Sequence, residues 1–211
     1  MNHQKLIASG AEANILLDEK DNLVVKDRIS KGYRLKQIDE KLRKTRTRSE
    51  TKLLEKASKI INTPKPKETD LKNKNNTKIT MPYIQGKKLS EHLDELSKEQ
   101  SMEICIKTGK AIAKLHDNNI IHGDLTTSNI ILDKNNNIWL IDFGLGFHSQ
   151  RIEDKAVDLH LIAQALEAKH FQHWKEYLSY ILEGYKDSNN SNKVLEQLKK
   201  VESRGRYKDK Y

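Results

Sequence analysis

The chain has 211 residues, 39 Lys/Arg against 30 Asp/Glu, and a formal charge of +9 at neutral pH. One cysteine, Cys105, excludes an internal disulfide. A third of the residues are charged, which excludes a membrane-embedded class and implies a cytoplasmic protein with enough length for a core. In chain order, the first feature is Ile7-Ala8-Ser9-Gly10-Ala11-Glu12-Ala13. Gly10, Ala11, Glu12 and Ala13 form a small-residue turn whose backbone N–H groups could approach phosphates. Leu23-Val24-Val25-Lys26 reads as a strand ending in a lysine. Residues 33–58 read as a helix, with Leu35, Ile38, Leu42, Leu53, Leu54 and Ala57 as its apolar positions. Glu50, one turn before Leu53-Leu54, is the candidate to face inward and hold Lys26; Glu40 and Glu55 compete for that role.

Pro64-Lys65-Pro66 is expected to end this helix, and residues 67–78 to form an irregular turn. Ile79-Thr80-Met81-Pro82-Tyr83-Ile84 reads as a strand running into a hinge. With Met81 at the back of a nucleotide pocket, the Pro82 C=O and the Ile84 N–H become the groups for adenine; proline has no N–H, and none is required of Pro82. A helix over Ile104–His116 follows, with Cys105 on an apolar face beside Met102, Ile106 and Ile112.

His122-Gly123-Asp124-Leu125-Thr126-Thr127-Ser128-Asn129 and Asp142-Phe143-Gly144, with twelve residues between Asn129 and Asp142, carry the chemistry. HxDxxxxN followed by DFG is the order and spacing of an ATP-Mg²⁺ phosphoryl-transfer site. Asp124 is the candidate for accepting a hydroxyl proton or orienting a nucleophile. Asn129 and Asp142 are the candidate metal ligands. Ile130-Ile131-Leu132 and Ile138-Trp139-Leu140-Ile141, joined by the polar turn 133–137, predict a hairpin bringing Asn129 and Asp142 to one end. Gly144 is expected to relax the backbone beyond Asp142. Asp158, at the head of the apolar helix Leu159-Ile162-Ala163-Leu166, is a candidate brace for the catalytic loop or simply an acid at a helix N-terminus.

His170 and His173 read as solvated residues on one helix face, short of a metal site. Residues 187–193 read as a linker between the last two helices. The charge excess concentrates between Lys31 and Lys52, with nine Lys/Arg against three acids, and in the tail with Arg204, Arg206, Lys208 and Lys210. Arg204, Arg206 and Lys208 are candidate nucleic-acid contacts, the alternative being a solvated face.

The chain resembles the PRPK-type atypical kinase/ATPase subunit of the KEOPS complex. The resemblance runs over nearly the whole chain. It rests on Gly10-Ala11-Glu12-Ala13, Val25-Lys26-Asp27-Arg28, Lys31-Gly32-Tyr33-Arg34, Arg46-Thr47-Arg48-Ser49-Glu50, the two motifs above, Glu153-Asp154-Lys155-Ala156-Val157-Asp158-Leu159 and Arg204-Gly205-Arg206. It implies an α+β bilobal protein-kinase-like fold: residues 1–84 an antiparallel sheet plus one helix, residues 85–211 a reduced helical lobe with the basic tail, ATP in the cleft. It implies ATP and Mg as cofactors. It also implies a role in making threonylcarbamoyl-adenosine in tRNA, with the threonylcarbamoyl-transferring subunit, a further small subunit and tRNA as partners.

Departures from ordinary protein kinases are legible too. Gly123 stands for the arginine that pairs with a phosphorylated activation loop, so control by loop phosphorylation is not expected. Thr126 stands where a lysine often reaches the γ-phosphate. Only 67 residues follow Gly144, without an A-P-E element, so peptide docking is expected to be weak. ATP hydrolysis, or restricted serine/threonine phosphorylation, is the expected activity. The alternative is a small-molecule phosphotransferase of the aminoglycoside or choline type, which shares H-G-D-x-x-x-x-N. The short, aromatic-poor remainder argues against it.

Overall fold

The computed structural model describes residues 4–73 and 75–205. Arg206 and Lys208, the distal basic candidates, lie outside the described residues. The chain divides into two compact units: Met1–Lys59 with Thr63–Ile84, and Ile60–Asn62 with Gln85–Tyr211. Residues 60–62 go with the second unit because the Leu140 N–H donates to the Asn62 C=O at 3.1 Å, and Asn62 Nδ2 donates to the Ile138 C=O at 3.3 Å.

The first unit is a four-stranded antiparallel sheet in the order β1 (Gln4–Ser9), β2 (Ala13–Asp18), β3 (Leu23–Arg28), β4 (Lys78–Pro82), with helix α1 (Lys36–Ala57). The β2–β3 turn contains Asn22 at φ +51°, a left-handed position that asparagine tolerates. Pro82, which cannot donate a ladder bond, sits on the edge strand. Val24, Val25, Ile79, Leu53, Leu54 and Ala57 are the buried apolar set. The apolar face expected along the whole of α1 is covered only in its second half. Leu35, Ile38 and Leu42 are exposed, while Asp39 in the same turns is buried against Ser30, Arg34 and Arg43. The helix also stops before the prolines, at Ala57, where the Ser58 and Lys59 N–H groups turn back onto the Leu54 and Lys56 carbonyls. Residues 67–78 are not wholly irregular: α2 (Glu68–Lys72) is a single turn anchored by Asp70, whose carboxylate accepts from the Thr80 N–H at 2.6 Å. Among the described residues the first unit thus holds two helices, not one.

The second unit begins with β5 (Gly86–Lys88), pairing with β7 (Ile130–Asp133), which pairs with β8 (Ile138–Leu140); β6 (Ile120–Ile121) pairs with β9 (Phe147–His148). Its helices are α3 (Leu89–His92), α4 (Lys98–Asp117), α5 (Ile152–Lys169), α6 (Trp174–Tyr185) and α7 (Ser191–Gly205). Helix α4 starts on a capping box: Gln100 N–H donates to Ser97 Oγ and Ser97 N–H to Gln100 Oε1. Cys105 is buried on it, and desolvation pushes its thiol up to about 12, so it is an inert core residue. Met102, assigned to the same face, is half out in solvent.

Helices α4 and α6 touch backbone to backbone. A Cβ on Gly109 would lie 1.9 Å from the Ile181 carbonyl oxygen, and one on Gly184 would lie 2.1 Å from that of Ile106. Among the described residues no helix is long and apolar enough to cross a membrane.

Candidate active site

In the first unit, Lys26 lies on β3 opposite Ile15 and Ile79 and is buried. Its Nζ meets Glu50 Oε1 at 2.7 Å. Arg28, two residues on and therefore on the same face of the strand, places Nη2 2.5 Å from Glu50 Oε2. One carboxylate at 1% exposure thus faces two cations at 5% exposure each. Glu40 and Glu55, the competing acids, pair with Lys44 and Lys59 at the surface. Sequence reading placed Lys26 and Glu50 but gave Arg28 no role; the alternation Lys26-Asp27-Arg28 on a strand was the available signal.

The turn between β1 and β2 is tied down rather than loose. Gly10 N–H donates to the Ala13 C=O at 3.0 Å, and Ile29 N–H to the Glu12 C=O at 3.1 Å. Lys31 Nζ donates to the Ala11 C=O. The Glu12 carboxylate meets Arg46 Nη1 at 2.6 Å. Ala13 is buried; Gly10, Ala11 and Glu12 are exposed. Met81 and Pro82 close β4 opposite Val24 and Leu23, and Ile84 is half-buried two residues beyond.

In the second unit, the loop after β6 is held from behind by Asp158. Its Oδ2 accepts the His122 N–H and its Oδ1 the Gly123 N–H, both at 2.8 Å. Asp158 is the seventh residue of α5, not its first, so the helix-terminus alternative falls away; the buried carboxylate points at two loop amides. His116 Nε2 lies 3.2 Å from Asp158 Oδ2, while His116 Nδ1 lies 2.8 Å from the Tyr185 hydroxyl. With the hydroxyl donating to Nδ1, Nε2 carries the proton and donates to the carboxylate. This hydroxyl–imidazole–carboxylate chain was not legible locally, since its members come from α4, α5 and α6.

Gly123 has φ +78°, and a Cβ there would meet the Leu145 carbonyl oxygen at 2.3 Å. The loop therefore has no room for the arginine of an H-R-D motif.

Asn129 Nδ2 donates to both the Asp124 C=O and Asp124 Oδ2, each at 2.9 Å. That commits the amide end and aims the Asn129 carboxamide oxygen elsewhere as an acceptor. The Ile141 N–H donates to the Asn129 C=O at 2.9 Å, and Ile130 faces Leu140 across the hairpin. Asn129 and Asp142 are therefore brought to one end of the β7–β8 pair. Asp133 locks the turn, accepting from Asn135, Asn137 and Trp139 Nε1. Burial opposes its ionisation, but those hydrogen bonds prevail and bring its pKa down to about 2.

The left-handed residue is Asp142 itself, at φ +65°, not Gly144. Gly144 instead donates its N–H to Asp142 Oδ1 at 3.1 Å. An aspartate tolerates that conformation by bonding its own backbone two residues on. Asp124, Asn129 and Asp142 are all half-buried.

His122 lies wholly inside, with Nε2 3.1 Å from the Ile141 C=O and Nδ1 accepting the Asp124 N–H at 3.3 Å. These roles need the neutral ring. Desolvation depresses its pKa, outweighing the nearby carboxylates of Asp158, Asp142 and Asp124. The folded form thus binds fewer protons than the unfolded one, and stability is lost as pH falls below about 6.5. Between pH 7.5 and 5.5, urea unfolding of the chain should show stability falling with pH as the unfolded form takes up a proton that this buried ring resists. His122→Gln should be less stable at pH 7.5 and lack that part of the slope. An unchanged slope in the variant would mean that His122 titrates normally.

One candidate ends elsewhere: His170 is not solvated but caps α5, is buried, and joins Asp94 Oδ2 at 2.7 Å to Thr127 Oγ1 at 3.3 Å. Arg204 lies 2.6 Å from Glu153 Oε1 in an exposed pair.

Comparison with known proteins agrees with these arrangements. The family described as "Protein kinase domain" matches residues 22–179. The KEOPS complex subunit Bud32 of Pyrococcus abyssi is 40% identical over 98% of this chain and 97% of its own length. The probable bifunctional tRNA threonylcarbamoyladenosine biosynthesis proteins of Methanobrevibacter smithii and Methanocaldococcus jannaschii are 42% and 40% identical over 96% and 97% of this chain. The chain spans only 36% and 37% of those two relatives. With its antiparallel sheet unit, its helical unit and this coverage, the chain is a kinase-like enzyme of α+β fold that belongs to the protein kinase domain family and, within it, to the family of the KEOPS complex subunit Bud32.

Proposed function

We propose that the chain binds ATP with Mg²⁺ and hydrolyses it, or transfers its γ-phosphoryl group to a restricted serine or threonine hydroxyl. It does so as a subunit of the multi-subunit complex that makes threonylcarbamoyl-adenosine in tRNA. Its partners there are the threonylcarbamoyl-transferring subunit, a further small subunit and tRNA. The observation that carries the phosphoryl-transfer reading is the catalytic loop: Asp158 holds its two leading amides, and Asn129 holds the Asp124 carboxylate.

The donor chemistry fits magnesium. Asn129 and Asp142 offer oxygen, which a hard cation prefers, and Mg²⁺ is commonly held by one or two carboxylates plus substrate phosphates. Bound there, the ion neutralises charge developing on the triphosphate. Asp124 orients the attacking hydroxyl or water and accepts its proton. Lys26, oriented by Glu50, holds the α/β-phosphates. Gly10, Ala11, Glu12 and Ala13 cover them; because the Gly10 N–H is already bonded, Ala11 and Glu12 are the amides on offer. The Pro82 C=O and the Ile84 N–H take the adenine, with Met81 behind it. A lysine near the γ-phosphate is missing at Thr126, so turnover by the free chain is expected to be slow.

The full-length relative and the two bifunctional ones bear KEOPS or tRNA names, so the small-molecule phosphotransferase reading is not favoured. The test is phosphate release and phosphoprotein formation from γ-labelled ATP: chain alone, then with the transferring subunit, then with tRNA, using Asp142→Ala as the blank. Phosphate release stimulated by tRNA, with little labelled protein, is the expected result. Strong transfer to protein, indifferent to partner and tRNA, would overturn the ATPase reading.

A further inference from the structure

Helix α1 carries four carboxylates, and each is already held by a cation. Asp39 is held by Arg34 and Arg43, Glu40 by Lys44, Glu50 by Lys26 and Arg28, and Glu55 by Lys59. That leaves Lys36, Lys41, Arg48 and Lys52 with no carboxylate of their own among the described residues. At 100° per residue Lys41, Arg48 and Lys52 fall within one narrow stripe of the helix together with Lys44, which shares Glu40. Neighbouring cations of one sign on a helix face set up a local positive potential that attracts polyanions.

The stripe borders a groove of about 350 Å³ between α1 and Asn75. Polar and charged residues line it: Lys41, Lys44 and Arg48 against Glu40, with Gln37, Thr45 and Asn75 supplying neutral donors and acceptors. The groove follows α1 from residue 37 to 48, roughly 16 Å at 1.5 Å per residue.

The geometry points to this groove as a docking surface for the phosphodiester backbone of RNA. The chemistry selects that occupant. Bonds to phosphate and sugar make up half or more of protein–nucleic acid hydrogen bonds, and they come from lysine, arginine, amide and hydroxyl side chains. A protein partner is anchored by buried aromatic or aliphatic groups, and no apolar side chain lines this groove to receive them. The exposed Leu35, Ile38 and Leu42 lie on a different side of the helix. This surface deepens the tRNA reading above and rests on it for the kind of RNA.

The test is fluorescence anisotropy of a labelled tRNA transcript titrated with the full chain over a range of salt. The chain is compared with the triple variant Lys41→Gln, Lys44→Gln, Arg48→Gln, and separately with a chain lacking residues 206–211. The triple variant should flatten the slope of log affinity against log salt by about 2 to 3, near one unit per phosphate-contacting cation. It should bind about tenfold or more weakly at 50 mM salt. Its melting temperature should not move, because the three side chains lie at the surface. Unchanged affinity and slope in the triple variant, or no tRNA binding by the chain at low salt, would overturn the proposal. Displacement of tRNA from the groove by polyglutamate at equal charge would assign it to an acidic protein instead. ATP hydrolysis assayed without RNA is independent of these arms, so failure of the phosphoryl-transfer reading would show there alone.

Discussion

Asp158→Asn is expected to cut ATP turnover by roughly 30- to 1,000-fold while leaving the fold in place. The buried carboxylate accepts the His122 and Gly123 N–H groups and faces His116 Nε2. An asparagine keeps one acceptor and presents an amide donor to groups that are themselves donors. Each hydrogen bond to a charged group is worth about 1.5–3 kcal/mol, and about 1.4 kcal/mol of misplaced transition state is a factor of ten in rate. The loss should fall on kcat, with KM for ATP nearly unchanged, since Asp158 acts on the loop carrying Asp124 and touches no phosphate-binding group. Steady-state phosphate release over a range of ATP concentrations separates the two. A variant with wild-type kcat would show that the loop keeps its shape without the brace.

The second large effect is on stability. Glu50→Gln removes the carboxylate beside Lys26 and Arg28, and the buried Arg28 Nε has no hydrogen-bond partner among the described residues. Breaking a buried pair from one side leaves an uncompensated charge and costs about 3–5 kcal/mol. For a chain of this length that corresponds to a fall of roughly 6–20 °C in Tm. The double variant Arg28→Met, Glu50→Leu should recover the part of the loss that comes from Arg28, because that cation is removed together with its carboxylate, while Lys26 still loses Glu50. Thermal unfolding by circular dichroism checks both. If Glu50→Gln melts within a degree or two of wild type, water or another residue is satisfying Arg28.

What could be read from the sequence follows how local the physics is. Asp124, Asn129 and Asp142 were legible because their spacing spans one loop and one hairpin, where turn chemistry and strand alternation decide the geometry. Asp158 was legible as a brace, although its position in α5 was not, since helix starts shift by a few residues without a capping side chain, and α5 has none. The positive φ at Asp142 was hidden by Gly144, a residue that tolerates the conformation more readily but did not have to adopt it. Leu35, Ile38 and Leu42 announced a helix by their period, yet period does not say which turns receive a neighbour. His170 looked like half of a helical pair and is a buried link between Asp94 and Thr127, residues 76 and 43 positions away in sequence. Tyr185 and Arg28 gave no signal alone; their roles exist only once distant elements meet.

The glycine contacts between α4 and α6 have a bearing on inheritance as much as on packing. Where two helices are separated by side chains, swapping a leucine for an isoleucine can slide one past the other by a few tenths of an ångström. Here Gly109 and Gly184 let peptide planes meet directly, so peptide geometry sets the separation and drift in neighbouring core residues does not. Tyr185 follows Gly184 in the chain, and its hydroxyl reaches His116 on the facing helix. The alignment of the catalytic loop is thereby insulated from the repacking that a hydrophobic core undergoes over evolutionary time.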